Sequence, residues 1–389
     1  MTQPKVLIFS EYYLPGYKGG GPIKTIKNLV ENLDEFFVRI ITNDRDLGSE
    51  QPFKSIIPGK WNNLSNSQIF YAQPGLKGFI QIIKIVLDRN KYNIIYVNSF
   101  FSIKFSLLPT VLGKLLNRQV ILGPRGEFSE GALKLKNTKK NIFIKAYKLL
   151  GLPRGIVFQA SSTYEAQDIR NALGLKAAIV IAEDVGSQDF AKNISIRNDQ
   201  ITKAVFISRI SPKKNLSFAL ESLKRVKSEL IYDIYGPIED LSYWQECQMI
   251  IRELPSNITV QYMGELTPNK VVKALSSYDF FFMPTKGENY GHVIAEALCA
   301  GLPLVIADTT PWRNLESLGI GWDLPLDNID AFSEVIDNLI EMSDDHHYKL
   351  RQTVLAWAKQ KFAQRDAIEA NIAMFRYAYN KKKGINNVI

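Results

Sequence analysis

The 389-residue sequence predicts an α/β protein made of two Rossmann-like, doubly wound domains that face a central cleft. Three observations lead to this fold class. The chain is too long for one ordinary hydrophobic core. Short apolar strands alternate with helical stretches, a pattern typical of parallel sheets. A polar, irregular stretch near residues 184–200 separates two similar halves and marks a domain boundary.

The alternation gives the elements of each half in order. The first half predicts strands KVLIFS (5–10), FVRIIT (37–42), NIIYVNS (93–99), QVILG (119–123) and GIVFQAS (155–161), with helices near 22–33, 77–90, 103–116, 139–150 and 162–172. The second half predicts strands KAVFIS (203–208), ELIYDIYG (229–236), NITVQYMG (257–264), DFFFMP (279–284) and PLVIAD (303–308), with helices near 215–227, 241–253, 268–276, 291–300 and 328–341.

These elements define two predicted domains. We expect an N-terminal domain over residues 1–185 and a C-terminal domain over 200–365. The tail is helical by pattern from about 347 to 380, and we expect its residues 366–380 to pack back on the N-terminal domain. Ligands of such sheets bind beyond the carboxyl ends of the strands, so the site should lie there.

Composition excludes several classes of protein. The chain is 46% hydrophobic and 22% charged, which is ordinary for a globular protein. Two cysteines and three histidines leave little material for a structural zinc site or a disulfide framework, and they favour a reducing, cytoplasmic setting. The N-terminus has the pattern of a first strand rather than a signal peptide. No apolar run reaches the ~18 residues of a membrane span.

Positive charge is concentrated in one segment, residues 131–154. This segment contains no acidic residue, and its apolar positions alternate with Lys134, Lys136, Lys139, Lys140, Lys145, Lys148 and Arg154. Such a segment suits peripheral contact with an anionic membrane or a phosphate-bearing substrate. A helix with one packed face and one solvated lysine face explains the same pattern, so both interpretations stay open.

The stretch PTKGENYGHVIAEALCAGLPLV (284–305) carries the strongest chemical signal. It predicts a strand end, a glycine-rich turn, and an apolar helix that Gly301 ends. The start of that helix offers unpaired backbone N–H groups and the positive end of its dipole, so the turn from Asn289 through Tyr290 and Gly291 to His292 predicts a phosphate site. On this interpretation, Glu296 accepts hydrogen bonds from the hydroxyls of a ribose. Glu288 lies on the other side of the phosphate, beside the hydroxyls of a sugar. Alternatively, Glu296 pairs with a core arginine and Glu288 is an exposed loop residue.

Three motifs together resemble family 4 glycosyltransferases, which are retaining enzymes of the GT-B fold. ENYGHVIAE, with Glu288 and Glu296 eight positions apart, resembles the family's donor-binding signature. FISRISPKKN resembles its strand and turn with a basic pair, and GGGP after the first strand resembles its glycine loop. NSFFS and GPRGEFSEGALKLKNTKK resemble members that assemble surface polysaccharides. The resemblance covers most of the chain and is most specific in the second half.

The resemblance implies roles for individual residues on the donor side. Arg209 and Lys214 are assigned to the departing diphosphate, where cations stabilise the developing charge and take the place of a metal ion. Glu288 is the third catalytic residue. The remaining donor-binding residues are those of the helix start, Glu296, the backbone at Leu266, which is assigned to the base, and Gly20 and Gly21, which let the backbone approach the phosphates. Two solvated cations and a flexible glycine turn are the alternative explanations.

The acceptor side departs from the family pattern. Many members place a histidine near the reacting sugar in the first domain, but this sequence has no histidine before His292. The matching stretch reads GPRGEF, so we expect Arg125 or Glu127 to contact the acceptor or the donor sugar, and Asn98 to line the same cleft. The resemblance implies a retaining transfer in which the departing phosphate oxygen accepts the acceptor's proton.

Other patterns argue against competing functions. GYKGGGPIK lacks both the GK[ST] ending of a nucleotide-hydrolysing loop and the G-x-G-x-x-G spacing of dinucleotide sites. The DRD pattern at Asp44–Asp46 matches the metal motif of a different transferase fold, but here it follows the second strand and predicts an acceptor-facing loop. Glu288 and Glu296 also suit a glycosidase. A glycosidase, however, gives no reason for two Rossmann-like halves and a phosphate turn.

The resemblance therefore implies a metal-independent, hexosyltransferase-type glycosyltransferase with no cofactor. We expect it to move a sugar from a UDP- or GDP-linked donor to a saccharide or polyprenyl-diphosphate-linked acceptor in capsule, O-antigen or exopolysaccharide synthesis. We expect no nucleic-acid partner and a cytoplasmic location, at the inner face of the membrane if residues 131–154 dock there. The alternatives are a catalytically silent nucleotide-binding GT-B scaffold subunit, and a sugar-nucleotide 2-epimerase or a sucrose-type synthase on the same fold.

Overall fold

The computed structural model describes residues 3–64, 67–88, 92–134, 137–174, 177–194, 196–197 and 201–382. The chain divides into two compact units. Unit 1 contains residues 1–185 together with 365–389, and unit 2 contains residues 186–364. Part of the predicted linker lies in unit 2, because the backbone N–H of Ala191 donates to the carbonyl of Cys299. Among the described residues, no helix combines the length and apolar character needed to cross a membrane.

Unit 1 is built on a sheet of eight described strands in the order β3-β4-β2-β1-β5-β6-β7-β8. The strands are β1 Lys5–Phe9, β2 Phe37–Asn43, β3 Trp61–Leu64, β4 Ser67–Ala72, β5 Ile94–Val97, β6 Gln119–Leu122, β7 Val157–Ala160 and β8 Ala178–Ile181. All neighbours pair in parallel except β3 and β4, which form an antiparallel pair. Strand β2 lies on one side of β1, and β5, which comes later in the chain, lies on the other. This reversal of strand order creates a topological switch point between β1 and β5.

Helices cover both faces of this sheet, and each face has its own apolar layer. The described helices are α1 Gly21–Val30, α2 Gly75–Leu87, α3 Leu108–Leu115, α4 Glu130–Lys134, α5 Asn137–Leu149, α6 Thr163–Leu173 and α13 Asp366–Lys382. One layer packs α1 and α13 on the sheet, and the other packs α2, α3, α5 and α6. A π-helical turn, Ile103–Leu107, precedes α3.

Unit 2 contains a second parallel sheet with six described strands in the order β11-β10-β9-β12-β13-β14. Its strands are β9 Thr202–Ile207, β10 Leu230–Tyr235, β11 Ile258–Gly264, β12 Phe280–Met283, β13 Leu304–Ala307 and β14 Gly321–Leu324. Strands β9 and β12 are neighbours although β10 and β11 lie between them in the sequence. Their carboxyl ends therefore lie side by side at one edge of the sheet.

Six α-helices are described in unit 2, and side-chain caps begin some of them. They are α7 Leu216–Leu223, α8 Leu241–Arg252, α9 Val271–Leu275, α10 His292–Cys299, α11 Ile329–Glu341 and α12 Asp344–Ala363. The side chain of Asp240 accepts from the backbone N–H of Tyr243 and begins α8, and Asn328 caps α11 in the same way. Gly301, with φ of 71°, follows α10 as predicted.

The predicted fold class is confirmed, and every predicted strand appears within about two residues of its expected bounds. The tail, predicted to be helical from about 347 to 380, consists of two helices, α12 and α13. The backbone turns extended at Gln364, so α12 stays in unit 2 and α13 belongs to unit 1. The prediction also missed the β3–β4 pair and the strands β8 and β14. Most positions of β3, β8 and β14 are only part-buried or exposed, unlike those of the central strands.

Candidate active site

The candidate site in unit 2 is formed by two loops at the carboxyl edge of its sheet. One loop (208–215) follows β9, and the other (284–291) follows the adjacent strand β12. The two loops are bonded to each other. The backbone N–H of Lys286 donates to the carbonyl of Lys213 at 2.9 Å, and the Asn215 side chain donates to the carbonyl of Pro284 at 3.0 Å. Residues from the two motifs are therefore held together at fixed positions.

Lys214 and Glu288 meet across these loops. The Lys214 ammonium donates to Oε1 of Glu288, and each side chain is only 12% exposed. Removing two charges from water costs several kcal/mol per ion, so an enclosed pair of this kind needs compensation from its geometry or from function. The structure thus brings together two of the three predicted catalytic residues, which lie 74 positions apart in the sequence.

Glycines and two side-chain bonds shape the turn between β12 and α10. Gly287 and Gly291 have φ of 155° and 82°, which side-chain-bearing residues rarely adopt. The hydroxyl of Thr309 donates to the carbonyl of Thr285, and the indole N–H of Trp312 donates to the carbonyl of Tyr290, both at 2.6 Å. These bonds occupy the carbonyl groups of Thr285 and Tyr290, so contacts within the protein fix the shape of the turn.

The start of α10 lies at the end of this turn. Gly291 occupies the cap position, and its lack of a side chain leaves the first N–H groups of the helix without a side-chain cap. Such a helix start attracts anions, because its N–H groups and the helix dipole point towards the ligand. The ring of His292 packs edge-on against Tyr290, with centroids 4.8 Å apart. Glu296 is buried one turn further along the helix.

Arg209 and Leu266 lie at the same edge of the sheet but in different surroundings. Arg209 follows β9, and its Nη1 lies 2.7 Å from Oε1 of Glu239. That pair is well solvated, with side chains 38% and 42% exposed, in contrast to the enclosed pair of Lys214. Leu266 follows β11, is half-buried and packs on the core of unit 2. Glu239 is a partner of Arg209 that the sequence analysis missed, since no motif contains it.

In unit 1, the predicted glycine loop leads into α1. Gly20 has φ of 70° and precedes the helix, while Gly21 is its first residue. A Cβ atom on Gly20 would meet no atom within 4 Å, so its conformation rather than crowding accounts for the glycine. The Asp46 carboxylate holds the start of the loop, accepting from the backbone N–H groups of Tyr17 at 2.9 Å and Lys18 at 3.2 Å.

The DRD pattern therefore has internal partners. Asp46 binds the glycine loop, and Oδ1 of Asp44 lies 2.8 Å from Nε of Arg45. Within the part of the chain that the structure describes, no group of three or more His, Cys, Asp or Glu side chains is arranged to hold a metal ion. The role of Asp46 was missed because it joins residues that are 28 and 29 positions apart.

Arg125 and Asn98 belong to a buried polar network in unit 1. Nε of Arg125 donates to Asn98 at 2.7 Å, and its other nitrogens donate to Asp184, Tyr96 and Gln159. Burial alone would lower the pKa of Arg125, but Asp184 leads the neighbouring groups that raise it above the ordinary value. Burial raises the pKa of Tyr96 to about 12, so the Tyr96 hydroxyl stays protonated and neutral. Arg125 therefore carries the positive charge of the network.

Glu127 also has partners inside unit 1. Its carboxylate accepts from the hydroxyl of Ser99 at 2.9 Å and from the backbone N–H groups of Phe100 and Phe101 at 2.5 and 3.1 Å. Burial raises the pKa of Glu127, and the hydrogen bonds oppose that change. In the structure, Glu127 orders the turn after β5, as Arg125 holds Asn98. Their predicted contacts with an acceptor remain predictions.

Comparison with known proteins places these features in context. Residues 187–354 match the family model described as glycosyl transferases group 1. The chain is 22% identical over 375 residues to an uncharacterized 41.2 kDa protein in the cps region of Klebsiella pneumoniae, covering 92% of this chain and 96% of that protein.

Solved structures confirm the fold. Anabaena HepE, in complex with UDP-glucose, matches with a TM-score of 0.72 and 16% identity over 97% of this chain and 99% of its own. WaaG, a glycosyltransferase involved in lipopolysaccharide biosynthesis, matches with a TM-score of 0.67 and 10% identity over 95% and 99%. The predicted GT-B fold is thereby confirmed.

Proposed function

We propose, from the match of residues 187–354 to the glycosyl transferases group 1 model within a chain of GT-B fold, that the protein is a retaining, metal-independent hexosyltransferase. Its donor is a nucleotide-diphosphate sugar, and it requires no cofactor. The observation that carries the proposal is the enclosed Lys214–Glu288 pair beside the start of α10. This arrangement places a cation and a carboxylate next to a helix start suited to a diphosphate.

The donor chemistry follows from the charges at this edge. When the bond between the sugar and the phosphate breaks, its electron pair stays on the diphosphate oxygen. Lys214, the N–H groups at the start of α10 and the solvated Arg209 neutralise that charge, and they bind the transition state more tightly than the ground state. Glu288 accepts hydrogen bonds from the sugar's hydroxyls and Glu296 from those of the ribose. Asn289, Tyr290, Gly291 and His292 line the diphosphate.

Retention requires that the acceptor hydroxyl attack the face that the diphosphate leaves. We assign the acceptor's proton to the departing phosphate oxygen, so no side chain has to act as a base. The internal bonds of Arg125 and Glu127 support this assignment, because neither side chain is poised as a solvated base. A cation pair in place of a metal ion makes the reaction independent of divalent metals.

We place the reaction in surface polysaccharide synthesis. The Klebsiella relative is named for the cps region, and WaaG acts in lipopolysaccharide biosynthesis. Both support a saccharide or polyprenyl-diphosphate-linked acceptor. HepE binds UDP-glucose, which supports a UDP-linked donor over a GDP-linked one. Polyprenyl-linked acceptors lie at the inner face of the membrane, so we propose a cytoplasmic protein that works at that surface.

The direct test is turnover of a small donor panel. The full chain is incubated with UDP-glucose, UDP-galactose, UDP-N-acetylglucosamine or GDP-mannose and with a polyprenyl-diphosphate-linked saccharide as acceptor, and nucleotide release is followed with and without EDTA. We expect release of UDP that EDTA leaves unchanged. Glu288→Gln should abolish it, while the exposed control Glu316→Gln should not. NMR of the anomeric proton before and after transfer reports retention or inversion.

Other outcomes identify the alternatives. Nucleotide binding without turnover of any donor would indicate a silent scaffold subunit. Conversion of the donor's sugar to its 2-epimer, without transfer to an acceptor, would indicate an epimerase. Near-normal turnover by Glu288→Gln would remove Glu288 from the site.

A further inference from the structure

We propose that the carboxyl edge of the unit 1 sheet carries a subsite for a neutral saccharide, formed by Glu11, Asn43, Ser102 and Lys104. The inference rests on the proposed function, since it assigns where the acceptor's sugar ring binds. Glu11 follows β1, Asn43 ends β2, and Ser102 and Lys104 follow β5. Strands β1 and β5 flank the switch point, where ligands of doubly wound sheets bind, and β2 is the next strand beside β1.

Lys104 is held at this edge by three elements. Its ammonium donates to the carbonyl of Gln73 at 2.9 Å and to Oδ1 of Asn43 at 3.3 Å. Gly78 in α2 leaves room for it, because a Cβ there would lie 2.7 Å from the Lys104 nitrogen and 1.9 Å from the Gln73 carbonyl. An ammonium has three N–H groups. We assign the third N–H to the ligand.

A π-helical turn carries Lys104. The turn Ile103–Leu107 begins at Ser102, whose hydroxyl accepts from the backbone N–H of Phe105. Turns of this kind are rare and are often found at functional sites. The ring of Phe105 lies under the Lys104 ammonium, 5.0 Å from its centroid, which favours a fixed position for the charge.

Glu11 is fixed from the other side of the switch point. Its backbone carbonyl accepts from the N–H of Asn43 at 3.2 Å and from the hydroxyl of Thr42 at 3.3 Å. Burial raises the pKa of Glu11, although the Ser102 hydroxyl and the Lys104 charge oppose the change. Burial likewise lowers the pKa of Lys104. Both groups bear a desolvation cost, and titratable groups with perturbed pKa values are enriched at functional sites.

The charges favour a neutral sugar over a phosphate. The charges at this edge balance, because Lys104 is attracted by Asp44 and Glu11, and Asp44 also pairs with Arg45. A phosphate would bring a double negative charge beside two carboxylates, which repel it. A sugar's vicinal hydroxyls, in contrast, both donate and accept. They match a carboxylate acceptor and an ammonium donor at the same edge.

The test measures saccharide binding directly. Saturation-transfer NMR is run on the full chain with methyl glucopyranosides, galactopyranosides and mannopyranosides, with glucuronic acid as the anionic comparison. The variants are Glu11→Gln and Lys104→Met, and the matched controls are the exposed Glu50→Gln and Lys54→Met. We expect at least one neutral glycoside to bind the wild type and both controls. Its Kd should rise roughly tenfold or more in each variant, because each loses a hydrogen bond to a charged group.

Three results would overturn the subsite: binding of no neutral glycoside, preference for glucuronic acid, or unchanged Kd values in correctly folded Glu11→Gln. Folding is checked by thermal unfolding. If Lys104→Met is unstable, the test rests on Glu11→Gln, which keeps the shape of the side chain. Hydrolysis of the nucleotide sugar, with water as acceptor, separates the two proposals. Normal hydrolysis with unchanged saccharide binding in the variants overturns only the subsite, whereas failure of the wild type to bind or cleave any donor overturns the proposed function.

Discussion

At the scale of single residues, the Lys214–Glu288 pair dominates the candidate site. Both side chains are nearly enclosed, so neither charge is fully solvated. Removing one member of such a pair leaves the other buried and unpaired, which typically costs ~3–5 kcal/mol. Variants at this pair therefore change both stability and catalysis. The two effects are separated by measuring thermal unfolding beside kinetics.

We predict that Lys214→Met lowers kcat by roughly 10²-fold or more, because the departing diphosphate loses the enclosed cation assigned to it. UDP release from the preferred donor measures the change. The control is Lys270→Met, which removes an exposed lysine of the same unit and should leave kcat unchanged. A folded Lys214→Met protein with wild-type kcat would contradict the assignment of Lys214 to the leaving group.

His347 gives a prediction for acid stability. It is buried in unit 2, and its Nε2 lies 3.1 Å from the carbonyl oxygen of Asp279. Burial, with a further contribution from Arg197, lowers its pKa below 6.5, while the Asp279 carboxylate opposes and Arg351 adds to the lowering. The unfolded chain then binds the proton more readily than the folded one. Stability is therefore full above pH 6.5 and is lost as the pH falls from there through the lower folded pKa.

The measurement is made on the full chain: the urea midpoint of the transition that contains unit 2, at pH 7.5 and at pH 5. We expect His347→Gln to reduce the loss of stability between the two values. His346→Gln is the matched control, because the neighbouring histidine is exposed and should leave the loss as in the wild type. Identical pH dependence in all three proteins would show that His347 does not contribute.

Local motifs in the sequence predict some residues of the site but not their long-range partners. Lys214 and Glu288 belong to separate motifs, and the strand pairing of β9 with β12 brings them together. The partner of Arg125 was not predictable, because Asp184 lies 59 positions away in a stretch without a motif. Motifs record residues that a ligand demands, whereas a long-range partner is set by the fold and leaves no local pattern.

At the scale of elements, predictability follows burial. The central strands of both sheets are apolar on both faces and appear in the sequence as continuous apolar runs, so they were predicted with bounds close to those observed. Strand β8 is half-exposed at the sheet edge and was missed. The break at Gln364 has neither Pro nor Gly, and it arises because α12 and α13 pack in different units.

Helix α5 is the element that could meet a membrane. Two of its apolar side chains pack inward, Ile144 and Tyr147. Other apolar side chains at and after the helix point to solvent, with Ile142 63%, Leu149 90% and Leu150 69% exposed. The predicted basic segment includes residues 135 and 136, which lie outside the described residues. The described part nevertheless combines exposed apolar groups with exposed lysines, as a membrane-surface helix requires.

We predict that the protein binds vesicles containing phosphatidylglycerol and not vesicles of phosphatidylcholine alone. Neutralising Lys139, Lys145 and Lys148 with glutamine should weaken binding roughly 100-fold, since each lysine near an anionic surface contributes about 1 kcal/mol. Co-sedimentation measures it. The control neutralises three exposed lysines of unit 2, Lys227, Lys270 and Lys273. Equal losses in both triple variants would indicate a general charge effect rather than docking through α5.

At the scale of the whole molecule, the chain crosses between its units twice, and unit 1 depends on both ends of the sequence. Helix α13 contributes Met374, Phe375 and Ala378, all fully buried, to one apolar layer of unit 1. Asn371 bonds to the side chain of Gln159 at 3.0 Å and to the carbonyl of Glu183 at 2.8 Å. A truncation before residue 365 would expose that layer, so experiments on either site need the full chain.

Ligand-induced stabilisation tests the donor assignment on the intact molecule. A ligand that binds only the folded state at 100 times its Kd stabilises it by about 2.7 kcal/mol. For a domain the size of unit 2, each kcal/mol raises Tm by roughly 2–4 °C. We therefore predict that saturating UDP raises the Tm of the transition that contains unit 2 by several degrees.

EDTA should leave that UDP-induced shift unchanged, since Lys214 and the start of α10 are assigned to the diphosphate in place of a metal ion. Differential scanning calorimetry of the full chain measures the shift, with uridine as the comparison that lacks the diphosphate. Lys214→Met should reduce the response to UDP while its response to uridine stays the same. A shift that appears only with Mg²⁺, or that uridine reproduces in full, would remove the diphosphate from the start of α10.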